Sequence, residues 1–577
     1  MNLRTKTNAG KLLHWHSSWS TVTIVVISLL AFAFRLWIAA HQPLIVEAVL
    51  NLDDANFARE AHELLSGSWL GVYESRTLIK NPSYAFLLCL PTLLHLPYGV
   101  VFMLFQGFGA LAFSLAIRPV VKNQWLLLIV FLSLVYMPVL FTYSYFQRIY
   151  RLGIVIPFIL MVFSCYLALW FRRETKPTKL LAWSVVLAVS FPIFYYIKED
   201  SSWSLPFVVV VSVILSAVWI VQGIREKQIT TMCGKLGLLV LPFASLFVVS
   251  TILSAQNSNY YGTSVICERT EGNFARFYHN LLSIDAKETD VDVWVSQSAL
   301  QRAYEVSPTL KEREEHISQY WKAWANLGHV EGHRENEMPK DLGVWALRQA
   351  CENWGGYASS QDSESFWGQA SRELEVAFDA GKLSRKQGLW VSSIAQPVPA
   401  SQIPRLLSEI PKTSLVLASM KDAVVYEAGG SGNPDEQASM RLLLMQNSDI
   451  DSEERANALA RAFVLLGQLI SLPVAFLSIF ACVWLVLDLL IQRSVRDLEV
   501  TLSILGLALS VVVVLVGVWW TLEYEQLIGE AFYIQVFGYS AAFYPLTYML
   551  NLLVITYTIE DLTQKPAAPQ KSNDTSH

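Results

Sequence analysis

The sequence predicts an α-helical integral membrane protein with about ten spanning helices and a mainly helical domain of about 200 residues inserted after the seventh. Three observations predict it. The 577 residues are 53% hydrophobic and only 16% charged, with a mean hydropathy of +0.38, whereas soluble domains run nearer a quarter charged. Apolar runs of about 20 residues, enough to cross a bilayer, recur along the chain. Lys and Arg gather in the short loops between them, which marks the cytoplasmic side.

The elements follow in order. Residues 1–20 are basic and read as a cytoplasmic N-terminus. The run 21–40 exceeds the roughly 7 to 15 residue core of a signal peptide, so it reads as a retained first span despite the small residues of IAAH at 38–41. A first outer loop, 41–83, leads into the run 84–96, which is short for a span and typical of a membrane-embedded helix on the outer side. Runs near 98–117, 124–143, 152–171, 180–197, 204–222 and 234–255 complete a seven-span module over 21–255. Those near 459–490, 500–520 and 531–556 form the C-terminal spans within 458–558. The tail 559–577 is polar, rich in Pro and Ser, and reads as disordered and cytoplasmic. Placing RPVVK (118–122), RRETKPTK (172–179), REK (225–227) and QRSVR (492–496) on the side of the N-terminus requires a single net crossing between 84 and 117. That gives ten spans; an eleven-span alternative puts RPVVK and RRETKPTK outside.

The segment 256–457 is long enough for its own extracytoplasmic domain. Apolar residues at three- and four-residue spacing predict helices over 298–327, 343–357 and 359–383. Cys267 and Cys351 lie in it and are either bridged or two free thiols; the other four cysteines sit in or near apolar runs as packing residues. The net charge of −5 is spread out and no dense basic tract exists, which argues against nucleic acid. HVEGHRENE places His329 and His333 four residues apart, but Gly332 interrupts a helix there and a solvated loop is favoured over a metal pair.

The stretch NLDDANFAREAHELLSGSWLGVYESRTLIKNPSY (51–84) is unusual for the exit of a first span. From Asp53 it reads as an amphipathic helix on the outer membrane surface, with Phe57, Ala61, Leu64 and Leu65 on one face and Asn56, Arg59, Glu60 and Glu63 largely on the other. Ser66-Gly67 ends it, WLGVY supplies interfacial aromatics, and Lys80 returns to the membrane ahead of Pro82. Taken singly, Asn51 or Asp53 could serve as a cap, Asp54 as a first-turn charge and Lys80 as a snorkelling anchor. Taken together, a first span, an Asp-Asp pair, FAREAxELLxGxW and Lys-x-Pro resemble the GT-C superfamily of membrane glycosyltransferases, which includes protein O-mannosyltransferases and the transferase that adds aminoarabinose to lipid A. The resemblance is clearest over residues 20–100, persists as topology to about 255, and fades in the inserted domain.

The resemblance implies an inverting transferase that takes a sugar from a polyprenyl phosphate and delivers it to an extracytoplasmic acceptor, a cell-envelope glycan, lipid or protein, at the plasma (inner) membrane with both termini cytoplasmic. It implies Asp53 as the base, with Asp54 as the alternative, since adjacent helical residues point about 100° apart. Lys80 matches the family's Lys-Pro position and would contact the donor phosphate. From their place at the outer mouth between the third and fourth spans, Arg148 and Arg151 are candidates for the same phosphate, possible neighbours on one helical face. Lys198, Glu199 and Asp200 are candidates for orienting the acceptor or holding a divalent cation such as Mg or Mn. A lipid-linked oligosaccharide ligase or polymerase remains an alternative, as does a transporter or non-catalytic assembly factor. A transporter would place ionisable residues midway through several spans, in repeated halves, and the charges here cluster at span ends.

Overall fold

The computed structural model of the protein describes residues 9–48, 53–287, 293–327, 337–390, 395–446, 450–522 and 536–564. The chain is α-helical. Helices α1 (Ala9–His41), α2 (Asp53–Ser66), α3 (Ser83–Leu94), α4 (Tyr98–Ala116), α5 (Gln124–Val135), α6 (Arg151–Phe171), α7 (Pro177–Tyr195), α8 (Leu205–Arg225) and α9 (Ile229–Tyr261) form the first module. The inserted region carries α10 (Gly272–Leu282), α11 (Gln297–Val306), α12 (Pro308–Glu312), α13 (Glu314–Leu327), α14 (Leu342–Asn353), α15 (Ser360–Asp379), α16 (Ile403–Ser419) and α17 (Pro434–Leu443). Three more helices, α18 (Ile450–Gln492), α19 (Val495–Leu522) and α20 (Phe543–Gln564), follow.

Among the described residues, eight helices are long and apolar enough to cross a membrane, and they coincide with eight of the ten expected spans. The other two differ. The expected span 124–143 is only twelve residues of helix, α5, before the chain breaks. Pro138 is the cause: its ring excludes Met137 from the helical region, and Met137 sits at φ −52°, ψ 118°. A 3-10 turn (Pro138–Phe141) and a wide turn (Tyr143–Gln147) then carry the chain to α6. The last expected span appears as α20, and residues 531–535 of that run lie outside the described residues. The start of the expected tail is helical, since α20 runs to Gln564. The short run 84–96 is the twelve-residue α3, about 18 Å long and too short to span alone.

Broken backbone inside an apolar module needs protein partners, because lipid offers none. Buried polar side chains supply them. Gln106 Nε2 donates to the Leu134 carbonyl at 2.8 Å, Arg35 Nη2 to Leu140 at 2.8 Å, and Gln42 Nε2 to Phe141 at 2.7 Å. Helix α6, buried along nearly its whole length, forms the centre of the module against α4, α7 and α20.

The inserted region has its own hydrophobic core, built on Phe277, Leu281, Trp294, Trp321, Leu347 and Trp367. One residue of the first loop, Ile79, is fully buried in that core. The expected helix over 298–327 is three helices, broken at Ser307-Pro308 because Ser307 is extended and caps the next turn. Helices α14 and α15 lie where the periodicity places them. Two small strand pairs were not expected: β1 (Ile45–Ala48) runs parallel to Gly429–Gly432, and Val293–Val295 antiparallel to Met338–Pro339. The His329/His333 pair lies outside the described residues.

Candidate functional site

The site gathers where α2, the start of α3, the start of α6 and the inserted region meet. Strand β1 fixes the chain leaving the first span by pairing with a segment almost 400 positions away in sequence, Ile45 opposite Gly429. Helix α2 then begins with Asp53 and Asp54 in its first turn, where carboxylates complement the helix dipole. The expected solvent face of α2 is not solvated: Asn56 and Glu60 are buried, with Asn56 Nδ2 donating to Glu60 Oε1 at 3.1 Å. Burial, the largest influence, pushes the Glu60 carboxyl up to about 8.

Asp53 Oδ2 lies 2.9 Å from the Lys80 Nζ and accepts a hydrogen bond of 2.9 Å from the Tyr150 hydroxyl. Burial works against its charged form. The charges of Lys80 and Arg151, with the hydrogen bonds from Lys80 and Tyr150, outweigh burial and hold the carboxyl below its usual range. Lys80 itself is 4% exposed and Asp53 16%. The Lys80 ammonium also stands 5.4 Å from the ring centre of Trp345.

Next to this pair, Arg151 forks onto Glu199, with N–O distances of 2.7 and 2.8 Å. Glu199 Oε1 also accepts the Asn81 backbone N–H at 2.9 Å, which ties the residue after Lys80 to the same carboxylate. The approach to α6 is tight: a Cβ on Gly153 would lie 1.8 Å from the Tyr145 carbonyl oxygen, so only glycine lets the turn fold back and present Tyr150 and Arg151.

Asp54 points elsewhere. It is fully buried and receives Arg148 Nε at 2.7 Å and Nη2 at 3.2 Å, a two-point grip. Burial pushes Asp54 up to about 7, and Arg148 limits the rise. Arg148 and Arg151 do not share a helical face. Arg148 (φ −75°, ψ 132°) and Tyr150 are extended, α6 begins only at Arg151, and the two guanidinium groups close on different carboxylates.

The inserted region completes the surroundings. Arg269 pairs with Asp341, both buried or half-buried, and each lies within electrostatic reach of the first group: Asp341 of Lys80 and Asp53, Arg269 of Glu199 and Arg151. Burial opposes the ionised Asp341, but Arg269 and then Lys80 hold its carboxyl below the usual range. Tyr150, Arg269, Asp341 and Trp345 were not singled out from the sequence. The Arg-Asp pair is 72 positions apart and carries no local motif.

Of the expected acceptor or cation triad, only Glu199 joins the cluster. Lys198 and Asp200 pair with each other at 3.0 Å nearer the surface, with the Asp200 side chain half exposed. The carboxylates at the centre, Asp53, Asp54 and Glu199, each already face a protein cation, and among the described residues no three metal-ligating groups converge there. Cys267 and Cys351 are both buried and free.

No protein-family model and no curated protein matches the chain. Among solved structures, ArnT from Cupriavidus metallidurans bound to undecaprenyl phosphate aligns over 88% of this chain and 78% of that one, at 13% identity and a TM-score of 0.28. The same enzyme in its apo state aligns over the same shares at 14% identity and a TM-score of 0.30.

Proposed function

We propose that the protein is an inverting glycosyltransferase that moves a sugar from a polyprenyl-phosphate donor to an extracytoplasmic acceptor of the cell envelope. The observation that carries this reading is the Asp53–Lys80 pair: an ionised carboxylate and an ammonium 2.9 Å apart at the junction of the apolar module and a folded polar domain. It agrees with the resemblance of residues 51–84 to the GT-C motif. Transfer from a lipid phosphate needs one group of each sign beside the anomeric carbon.

In this reading Asp53 accepts the acceptor hydroxyl proton as that oxygen attacks the anomeric carbon from the side opposite the phosphate. The bond from carbon to the phosphate oxygen breaks, and its electron pair leaves with the lipid phosphate. Lys80 has three N–H donors, so one on Asp53 leaves two for the departing phosphate oxygens. Tyr150 orients Asp53 through its 2.9 Å hydrogen bond. Arg151, closed on Glu199, contributes positive charge and anchors the Lys80 turn through Asn81 rather than gripping phosphate with an open fork. Asp54 and Arg148 hold the start of α2 in place. Arg269, Asp341 and Trp345 bring the inserted domain against the reacting groups, and in this reading the acceptor approaches them from the outer side of the plasma membrane.

The test is transfer of radiolabelled sugar in membranes supplied with a panel of polyprenyl-phosphate and polyprenyl-pyrophosphate sugars. The natural chain is compared with Asp53→Asn, Asp54→Asn and Lys80→Ala at matched expression. Label transferred from a monophosphate donor and abolished by Asp53→Asn supports the reading. A pyrophosphate-only donor would make the protein a ligase, and an unchanged cellular glycan phenotype across all four chains without any transfer would make it a scaffold.

A further inference from the structure

The loop that delivers Lys80 is held by the inserted domain through one buried arginine. Arg348, in α14, is fully buried and uses three nitrogens: Nη1 pairs with Glu268, Nε donates to the Ser75 carbonyl at 2.6 Å, and Nη2 donates to the Thr77 carbonyl at 2.9 Å. Glu268 is 1% exposed, and its backbone N–H donates to the Leu78 carbonyl at 2.7 Å. The Tyr73 hydroxyl returns to Glu268 at 2.5 Å. Carbonyls 75, 77 and 78 are thus all fixed by two residues of the inserted domain. Leu78 is held at φ 57°, in the left-handed region that a leucine avoids without such restraint, and Ile79 is buried in the inserted domain's core. Lys80 follows directly.

Helix α14 makes a second contact with the same site. Asp341 precedes its first turn, Trp345 lies one turn on beneath the Lys80 ammonium, and Arg348 comes three residues later. Spacings of four and three place Trp345 and Arg348 on one face, so a single rigid element touches both Lys80 and the loop that carries it.

The geometry points to Arg348 as a positioning residue for Lys80, which makes the inserted domain a structural part of the donor-phosphate site rather than an acceptor platform alone. This rests on Lys80 contacting the donor phosphate as proposed above.

The test uses Arg348→Lys in the full chain. Lysine keeps a positive charge for Glu268 but has one nitrogen where two carbonyls and a carboxylate need three. The expected result is a kcat/KM for the polyprenyl-phosphate donor lowered about tenfold, shared between a higher KM and a lower kcat because Lys80 meets the phosphate both in the bound donor and as it departs. In a Lys80→Ala background the same substitution should have no further effect, because a residue that acts through Lys80 is silent without it. Independently of any transfer, a small amine-reactive reagent should modify Lys80 at least about fivefold faster in Arg348→Lys than in the natural chain, read by peptide mass spectrometry. Tyr73→Phe loosens Glu268 without unpairing a buried charge, and should shift Lys80 modification the same way by a smaller factor. Should Arg348→Lys fail to accumulate, Tyr73→Phe alone decides, and unchanged Lys80 reactivity overturns the proposal. Equal losses of transfer with and without Lys80 also overturn it. A natural chain that transfers no sugar would refute the functional reading, while the modification rates would still decide whether Arg348 positions Lys80.

Discussion

Asp53 and Asp54 are adjacent, and both are paired with a cation, yet their surroundings differ in exposure, partner and charge state. Asp53 keeps some exposure, shares its oxygen with an ammonium and a tyrosine hydroxyl, and is held ionised by two positive charges. Asp54 has no exposure, is gripped at two points by one arginine, and is pushed toward its neutral form by burial. A carboxylate that must take a proton from a substrate needs an approachable oxygen and a low barrier to staying charged; a carboxylate that must hold a helix needs neither. One step of about 100° around α2 separates the two environments.

The largest expected effect separates the pair outright. On the proposed reading, Asp53→Asn should lower sugar transfer by about 10²- to 10⁴-fold per folded molecule, since the amide keeps the shape and loses the proposed base. Asp54→Asn should do the reverse, costing about 2 to 4 kcal/mol of stability, somewhat under the figure for a fully buried pair because Arg148 is partly exposed. Heat inactivation in detergent, with activity measured per folded molecule, would read this. A loss of transfer by Asp54→Asn in fully folded protein would exchange the two roles.

Lys80→Met sharpens the Asp53 side. With the ammonium gone, burial is opposed mainly by Arg151, and the Asp53 carboxyl should rise. Transfer by the natural chain should hold down to pH values below the ordinary carboxylate range, and the acid limb of Lys80→Met should move up by at least about one unit. An unmoved limb would show that Lys80 does not control Asp53.

The Asp54 side is sharpened by a double substitution. Asp54→Asn with Arg148→Gln removes both charges and should recover most of the stability lost by Asp54→Asn alone, because the penalty lies in leaving one buried charge without its partner. Additive losses would mean the two residues stabilise α2 separately.

The smallest effect is expected at Glu60, two turns along the helix. Its folded-state carboxyl, about 8, lies above the unfolded one, so its contribution to stability is present below the unfolded value near 4.3 and is lost as pH rises toward 8. Glu60→Gln should therefore stabilise the protein by about 1 to 3 kcal/mol at pH 8 and leave it nearly unchanged at pH 4, measured by thermal unfolding at the two pH values.

Much of the architecture was legible residue by residue. Among the described residues, eight helices long and apolar enough to span announce themselves as apolar runs, because a helix in lipid must be apolar on nearly every face. The break after α5 falls at Pro138, which the reading of the run 124–143 as one span did not register because hydropathy is blind to it. The amphipathic reading of α2 put Phe57 and Ala61 on its apolar face, which packs into the protein core rather than onto the membrane surface, and it sent Asn56 and Glu60 to water, whereas both are buried. Periodicity reports which face is apolar; it cannot report that a polar face will be covered by another domain.

The sequence by itself determined the membrane class, the helical character of the inserted region, and a short list of Asp53, Asp54 and Lys80, within which Asp53 and Lys80, 27 positions apart, end in contact. Local chemistry decides these features: apolar length, turn residues and a short motif. Only the tertiary structure decided which aspartate faces Lys80, that Arg148 and Arg151 close on separate carboxylates, and that Arg348 holds carbonyls more than 270 positions away. The physical reason is that a buried charge takes whichever partner folding brings within hydrogen-bonding distance, and that choice has no period or spacing in the chain.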